Sequence, residues 1–144
     1  MSDYDPNYIP HKVFTLVGQK AIIKNSHGQF LLLQRSNKSG AGGKWALPGG
    51  AIEYNEEPLK AVSREISEET ELTVTGLTPF TVRQYLSDEQ ENVLIIGYTC
   101  VAEFEQISLN WEHTNYMWLT PVEALTMELT PDARFFIEKF SKMA

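Results

Sequence analysis

The stretch from Gly50 to Leu72 constrains this 144-residue chain more than any other. It holds seven acids (Glu53, Glu56, Glu57, Glu65, Glu68, Glu69 and Glu71) against Lys60 and Arg64, a balance of −5. The whole chain carries −7, which leaves only −2 for the remaining residues. Pro58 suits a first helical turn. Leu59, Val62 and Ile66 recur at i, i+3 and i+7, so Pro58 to Thr70 predicts a helix with those three on its core face. At 100° per residue, Glu65, Glu68 and Glu69 then share an arc of about 100°. Like charges at this spacing repel one another. Glu68 and Glu69 also lie near the helix C-terminus, where the macrodipole disfavours negative charge. Arg64 relieves part of the conflict through an i,i+4 contact with Glu68. A hard cation would relieve the rest, because Mg²⁺ takes oxygen ligands and bridges carboxylates to substrate phosphates. The plainer alternative is a solvated acidic face, since Glu is a good helix former.

The elements around this helix are mostly extended. Phe14 to Lys24 and Phe30 to Gln34 read as strands about an Asn25-Ser26-His27-Gly28 turn. Trp45 to Leu47 and Ala51 to Glu53 read as short extended pieces about Pro48-Gly49-Gly50. Val74 to Leu86 reads as strand pieces broken by Gly76 and Pro79. Val93 to Phe104 is the strongest strand candidate, and Tyr116 to Leu119 is another. Pro121 to Leu125 and Pro131 to Lys142 read as helices, the latter with a stripe of Phe135, Phe136 and Phe140. The order predicts an α/β domain, helices layered on a mixed β-sheet. Residues 1–11 are expected to form an N-terminal arm and residues 12–144 a single domain.

Composition removes several classes. Hydrophobic residues at 42% and charged residues at 22% are ordinary globular values, which argues against disorder. Cys100 stands alone, so neither an internal disulfide nor a cysteine zinc cluster can form. No apolar run approaches ~18 residues, so no membrane span is expected. MSDYDPNYIPHK has no apolar h-region, and a cytoplasmic setting is expected. Twelve basic residues against nineteen acidic ones do not make a phosphate-neutralising coat, so no stable nucleic-acid binding is expected. A homodimer is left open.

The spaced residues Gly50, Glu56, Arg64-Glu65-Ile66, Glu68-Glu69 and Leu72 resemble the Nudix box, G-x5-E-x7-R-E-U-x-E-E-x-G-U with U a bulky aliphatic. Leu47-Pro48-Gly49-Gly50 resembles that family's lead-in. One defined position departs: Glu71 stands where the family has glycine, which puts the turn after the helix in question. Glu57 is also a weaker helix cap than a small hydroxyl residue. The resemblance implies the Nudix fold, an α/β/α sandwich with a mixed sheet and a loop-helix-loop. It implies hydrolysis of a pyrophosphate linkage in a nucleoside diphosphate joined to another group, with Mg²⁺ or Mn²⁺ as cofactor.

Residue by residue, it implies that Glu65, Glu68 and Glu69 hold the metals. Gly49 would add a backbone carbonyl, Glu56 would support the site from outside the helix, and Arg64 would orient it. Glu112 resembles an acid that MutT-like members bring in from a late loop. Metals reverse the local field for a polyanionic substrate and lower the pKa of a bound water. Glu65, Glu68 and Glu112 are each candidates for the base that takes that water's proton. For the substrate, Arg35 could reach phosphate or base, and Trp45 and Tyr85, like Tyr98 and Trp111, could stack on a base or pack in the core. His11, His27 and His113 show no ligand spacing. Ser39 to Lys44 lacks the Walker spacing and reads as a loop beside the site. By elimination, the expected substrate is a (d)NTP or damaged NTP, giving a monophosphate and pyrophosphate. The alternatives are ADP-ribose or a nucleotide sugar. A non-catalytic nucleotide-binding module is the alternative of another class.

Overall fold

The computed structural model describes residues 3–10 and 12–143; His11 and the two ends of the predicted 1–11 arm lie outside the described residues. Strand β1 (Thr15–Lys24) organises the sheet because it has three partners. It runs parallel to β6 (Asn92–Ala102) from Thr15↔Asn92 to Lys24↔Val101. It is antiparallel to β4 (Gly49–Ala51) at Gly18, Gln19 and Lys20, and meets β2 (Phe30–Arg35) at Lys24↔Phe30. β2 in turn pairs antiparallel with β3 (Trp45–Ala46) and with β7 (His113–Leu119). The antiparallel strand β5 (Val74–Leu86) closes the far edge beside β6. The sheet is therefore mixed, as the order of elements predicts.

Alternation along β1 and β2 builds a core on each face. Ala21, Ile23, Leu31 and Leu33 pack with Val62 and Ile66 of helix α1 (Pro58–Thr70). Ile22, Phe30 and Leu32 pack on the opposite face with Ala124 of α2 (Pro121–Ala124) and with Phe136 and Ile137 of α3 (Pro131–Ser141). The result is the expected α/β/α sandwich. Burial on both faces explains why Leu31-Leu32-Leu33 is an unbroken apolar run rather than an alternating one. Cys100 lies in the α1-side core, where burial pushes its thiol up to about 12. Among the described residues no helix is long and apolar enough to cross a membrane.

Three local expectations need correction. Val74 to Leu86 is one strand, not broken pieces. Its register shifts around Gly76 and Pro79, and the edge position lets Pro79 lack an N–H without leaving a gap between two strands. Leu59 is not on the core face: Pro58, Leu59 and Lys60 are all exposed, so the first turn of α1 stands clear of the sheet. β7 starts at His113 rather than Tyr116, because Asn115 and His113 pair with Gln34 and Arg35 despite their polarity.

The departure at Glu71 is visible in the backbone. Glu71 adopts φ 60°, ψ 16°, and its N–H donates to the Ser67 carbonyl to close α1. A left-handed conformation costs a residue with a Cβ more than it costs glycine. Glu71→Gly is expected to stabilise the fold by about 0.5–1 kcal/mol, seen as a higher urea midpoint with an unchanged m-value. A midpoint that stays put or falls would show that the turn is not strained.

Candidate active site

The turn before α1 positions the site. The Pro48 carbonyl accepts from the Ala21 N–H at 2.9 Å, and pairing of β4 with β1 carries Gly49 and Gly50 against the helix. Neither glycine has room for a side chain. A Cβ on Gly49, whose φ is 142°, would lie 2.0 Å from the Gln19 carbonyl oxygen. A Cβ on Gly50 would lie 2.6–2.8 Å from the Glu65 carboxylate, so that carboxylate rests directly on the Gly50 backbone.

Arg64 is the hub of the acidic stripe. Its Nε and Nη2 donate to the two oxygens of Glu56 at 2.7 and 3.0 Å, and its Nη1 donates to Glu65 at 3.1 Å and to Glu68 at 3.2 Å. The Glu53 N–H also donates to Glu56, at 3.0 Å. Arg64 and this N–H together hold the Glu56 carboxyl down at about 2. Arg64 itself is raised, first by Glu56. The expected i,i+4 contact with Glu68 exists, but the bidentate fork to Glu56 is the tighter one.

Glu69 is different: its side chain is only 3% exposed. One oxygen accepts from the Gly49 N–H at 3.2 Å, and the other lies 3.7 Å from His113 Nε2. Burial pushes Glu69 up to about 8, with Glu65 and Glu112 adding to the rise and Lys20 and the Gly49 N–H opposing it. His113 is pushed down to about 4 by burial and by Arg35 and Lys20, so its imidazole is neutral at pH 7. His113 Nδ1 is buried without a hydrogen-bond partner. Neither His113 nor Lys20 has a sequence pattern that marks it. The one available cue is that His113 directly follows Glu112.

The donor set suits a hard cation. Four carboxylates, with the Gly49 carbonyl implied beside them, offer only oxygen. A cation would also favour the ionised form of Glu69 that burial disfavours. Among the described residues no three acidic, histidine or cysteine groups form a ready cage. Glu56, Glu65 and Glu68 instead share Arg64 as their common partner. Glu112 is tied in from the late loop. Its carboxylate accepts from Asn110 Nδ2 at 3.3 Å, and its carbonyl accepts from the Ser36 N–H and the Ser39 hydroxyl at 2.8 and 3.1 Å.

A cavity of about 340 Å³ opens on the other side of Gly50. Leu16, Gly18, Tyr85, Val93 and Ile95 form its walls, and Ser87 and Glu91 stand at the β5–β6 hairpin end. Lys20 is shared, lining the cavity while also acting on Glu69. Tyr85 is thus brought to the cavity, and the other two predicted substrate residues are not. Trp45 is buried in the α3-side core, because β3 pairs with β2 on the far side of β1. Arg35 ends β2 opposite His113, and its Nε donates to the Gly40 carbonyl of the 39–44 loop. Trp111 is exposed, and Tyr98 is buried with its hydroxyl accepting from Gln19 Nε2 at 2.7 Å.

The NUDIX domain family model matches residues 15–140 of this chain. Nucleoside triphosphatase NudI of Salmonella newport (strain SL254) is 31% identical over 123 residues, covering 78% of this chain and 87% of its own length. The crystal structure of a MutT NUDIX hydrolase from Burkholderia pseudomallei matches with a TM-score of 0.76 at 26% identity, over 87% of this chain and 97% of that one. The MutT protein from Methanosarcina mazei Go1 matches with a TM-score of 0.71 at 30% identity, over 92% and 97%.

Proposed function

Because this chain belongs to the NUDIX family of hydrolases, we propose that it is a Mg²⁺- or Mn²⁺-dependent pyrophosphohydrolase of nucleoside triphosphates, releasing a monophosphate and pyrophosphate. The observation that carries this reading is the carboxylate stripe: Arg64, held by Glu56, organises Glu65 and Glu68, Glu69 is anchored by the Gly49 N–H, and Glu65 rests on Gly50, which also lines a cavity with mostly apolar walls. A charged end beside an apolar end suits a triphosphate joined to a nucleoside. The similarity to the NudI nucleoside triphosphatase favours the same substrate class.

In this reading Glu65, Glu68 and Glu69, with the Gly49 carbonyl, would hold the metal. The metal would polarise the phosphorus and acidify a water. Arg64 keeps Glu65 and Glu68 aimed together, and Glu56 keeps Arg64 in place. Glu68, with more than half its side chain open to solvent, would be the group to take the proton of the attacking water. Lys20 lies where it can meet the phosphate chain as it leaves the cavity.

The test is a product analysis over NTPs, dNTPs, ADP-ribose, NADH, diadenosine polyphosphates and nucleotide sugars, with Mg²⁺, Mn²⁺ or chelator. Monophosphate and pyrophosphate are expected from triphosphates, with no turnover in chelator. Preferred cleavage of ADP-ribose or a nucleotide sugar would replace the substrate assignment. Nucleotide binding without turnover would make the protein a binding module.

A further inference from the structure

The Tyr85 wall of the cavity is held by groups that lie apart from the carboxylates. Arg83 and Tyr85 are two residues apart on β5, so both side chains face the α3 side of the sheet. Their partners across the ladder are Ile95 and Val93, which also line the cavity. The Arg83 guanidinium lies over the Tyr85 ring at 4.3 Å from its centroid. Its Nη1 donates to Asp132 in the first turn of α3, and its other neighbour is the Phe135 ring at 5.8 Å. Phe135 packs edge-on against Phe136 at 5.3 Å, and Phe136 is fully buried. A continuous series of contacts thus runs from the core through α3 to one cavity wall. Both members of the ion pair are only about a fifth exposed, which limits screening.

We infer that Arg83 and Asp132 are positioning residues that fix the Tyr85 ring as the surface on which the substrate's nucleobase rests, so that the first turn of α3 sets nucleoside affinity. The inference rests on reading the cavity as the nucleotide site. The ring, rather than the hydroxyl, is the contact surface: an arginine over one face leaves the other available for stacking. Substrate affinity and chemistry are then governed from opposite ends of the site, KM from β5 and α3 and kcat from α1.

The test uses steady-state kinetics of the full chain with Mg²⁺ and several NTPs, alongside urea unfolding. Asp132→Asn is expected to raise KM about tenfold while kcat stays within about twofold, and to weaken discrimination among bases. Tyr85→Leu should do the same, and Tyr85→Phe and Asp132→Glu should retain wild-type KM. The decisive arm is the double variant Tyr85→Leu/Asp132→Asn, expected to be no worse than Tyr85→Leu alone, because Asp132 acts only through the ring. Multiplying effects in the double variant, or an unchanged KM in folded Asp132→Asn, would overturn the inference and leave the proposed function standing. If Asp132→Asn unfolds, Arg83→Gln takes its place, alone and combined with Tyr85→Leu, and an unchanged KM in folded Arg83→Gln overturns the inference. Wild-type protein that neither turns over nor binds any NTP with Mg²⁺ by calorimetry would overturn the function and this inference together.

Discussion

Glu69→Gln is expected to cut turnover by about 10²–10³-fold and, without divalent ion, to make the fold more stable than wild type at pH 9. The two effects share one cause. The Glu69 carboxyl titrates at about 8 in the folded chain against an ordinary 4.5, chiefly because it is buried. A group raised in this way contributes stability that is complete below about pH 4.5 and lost as pH climbs through about 8. At pH 9 the ionised side chain would cost up to about 5 kcal/mol. Glutamine cannot ionise and avoids this loss. Urea unfolding at pH 5, 7 and 9 should show wild type losing stability with rising pH and the variant losing less. Mg²⁺ should restore wild type at pH 9 and leave the variant unmoved. A variant with near-full metal-dependent activity, or with the same pH dependence as wild type, would remove Glu69 from the site.

Gly49→Ala is expected to cost more than about 4 kcal/mol, enough to leave little folded protein. Its φ of 142° belongs to a region that side chains rarely adopt, and the added carbon would fall 2.0 Å from backbone that cannot yield. The adjacent Gly50→Ala is a sharp contrast. Its added carbon meets the end of the Glu65 side chain, which can swing aside. That variant should fold with a loss of about 1 kcal/mol, yet lose most turnover, because Glu65 moves off its seat. Urea midpoints and kcat on both proteins distinguish the two cases. Equal midpoints for Gly49→Ala and wild type would contradict the backbone described here.

Periodicity exposed those parts of this molecule where local preference and tertiary need agree. α1, β1 and β6 were legible because their apolar spacing matches the faces they bury, and the Arg64–Glu68 contact follows from helix geometry alone. β5 was not, because Gly76 and Pro79 read as breakers; only its place at the sheet edge makes them tolerable. Leu59 fits the helical period but lies beyond the sheet it would need. For Trp45, residue type alone allows base stacking or core packing, and β3 pairing places it in the core. The contacts around Glu69 were hidden for another reason. Lys20 and His113 approach it from β1 and β7, and side chains brought together by three separate elements leave no spacing to recognise. Gly49 and Gly50 were legible as a motif, but their steric purpose appears only once Gln19 and Glu65 are in place.

The three-way partnership of β1 bears on how the chain is made. Its longest pairing joins Thr15 to Asn92, positions 77 apart, and runs parallel throughout. A ribosome delivering this protein from its N-terminus presents Ile22, Ile23 and Leu31 to Leu33 well before β6, which pairs with β1, and β7, which pairs with β2, exist. Non-local parallel pairing is slow to form, and such half-built sheets are prone to associate with one another. Synthesis of the first hundred residues is therefore the interval in which this chain most needs chaperone cover, and truncations before Ala102 should aggregate rather than fold.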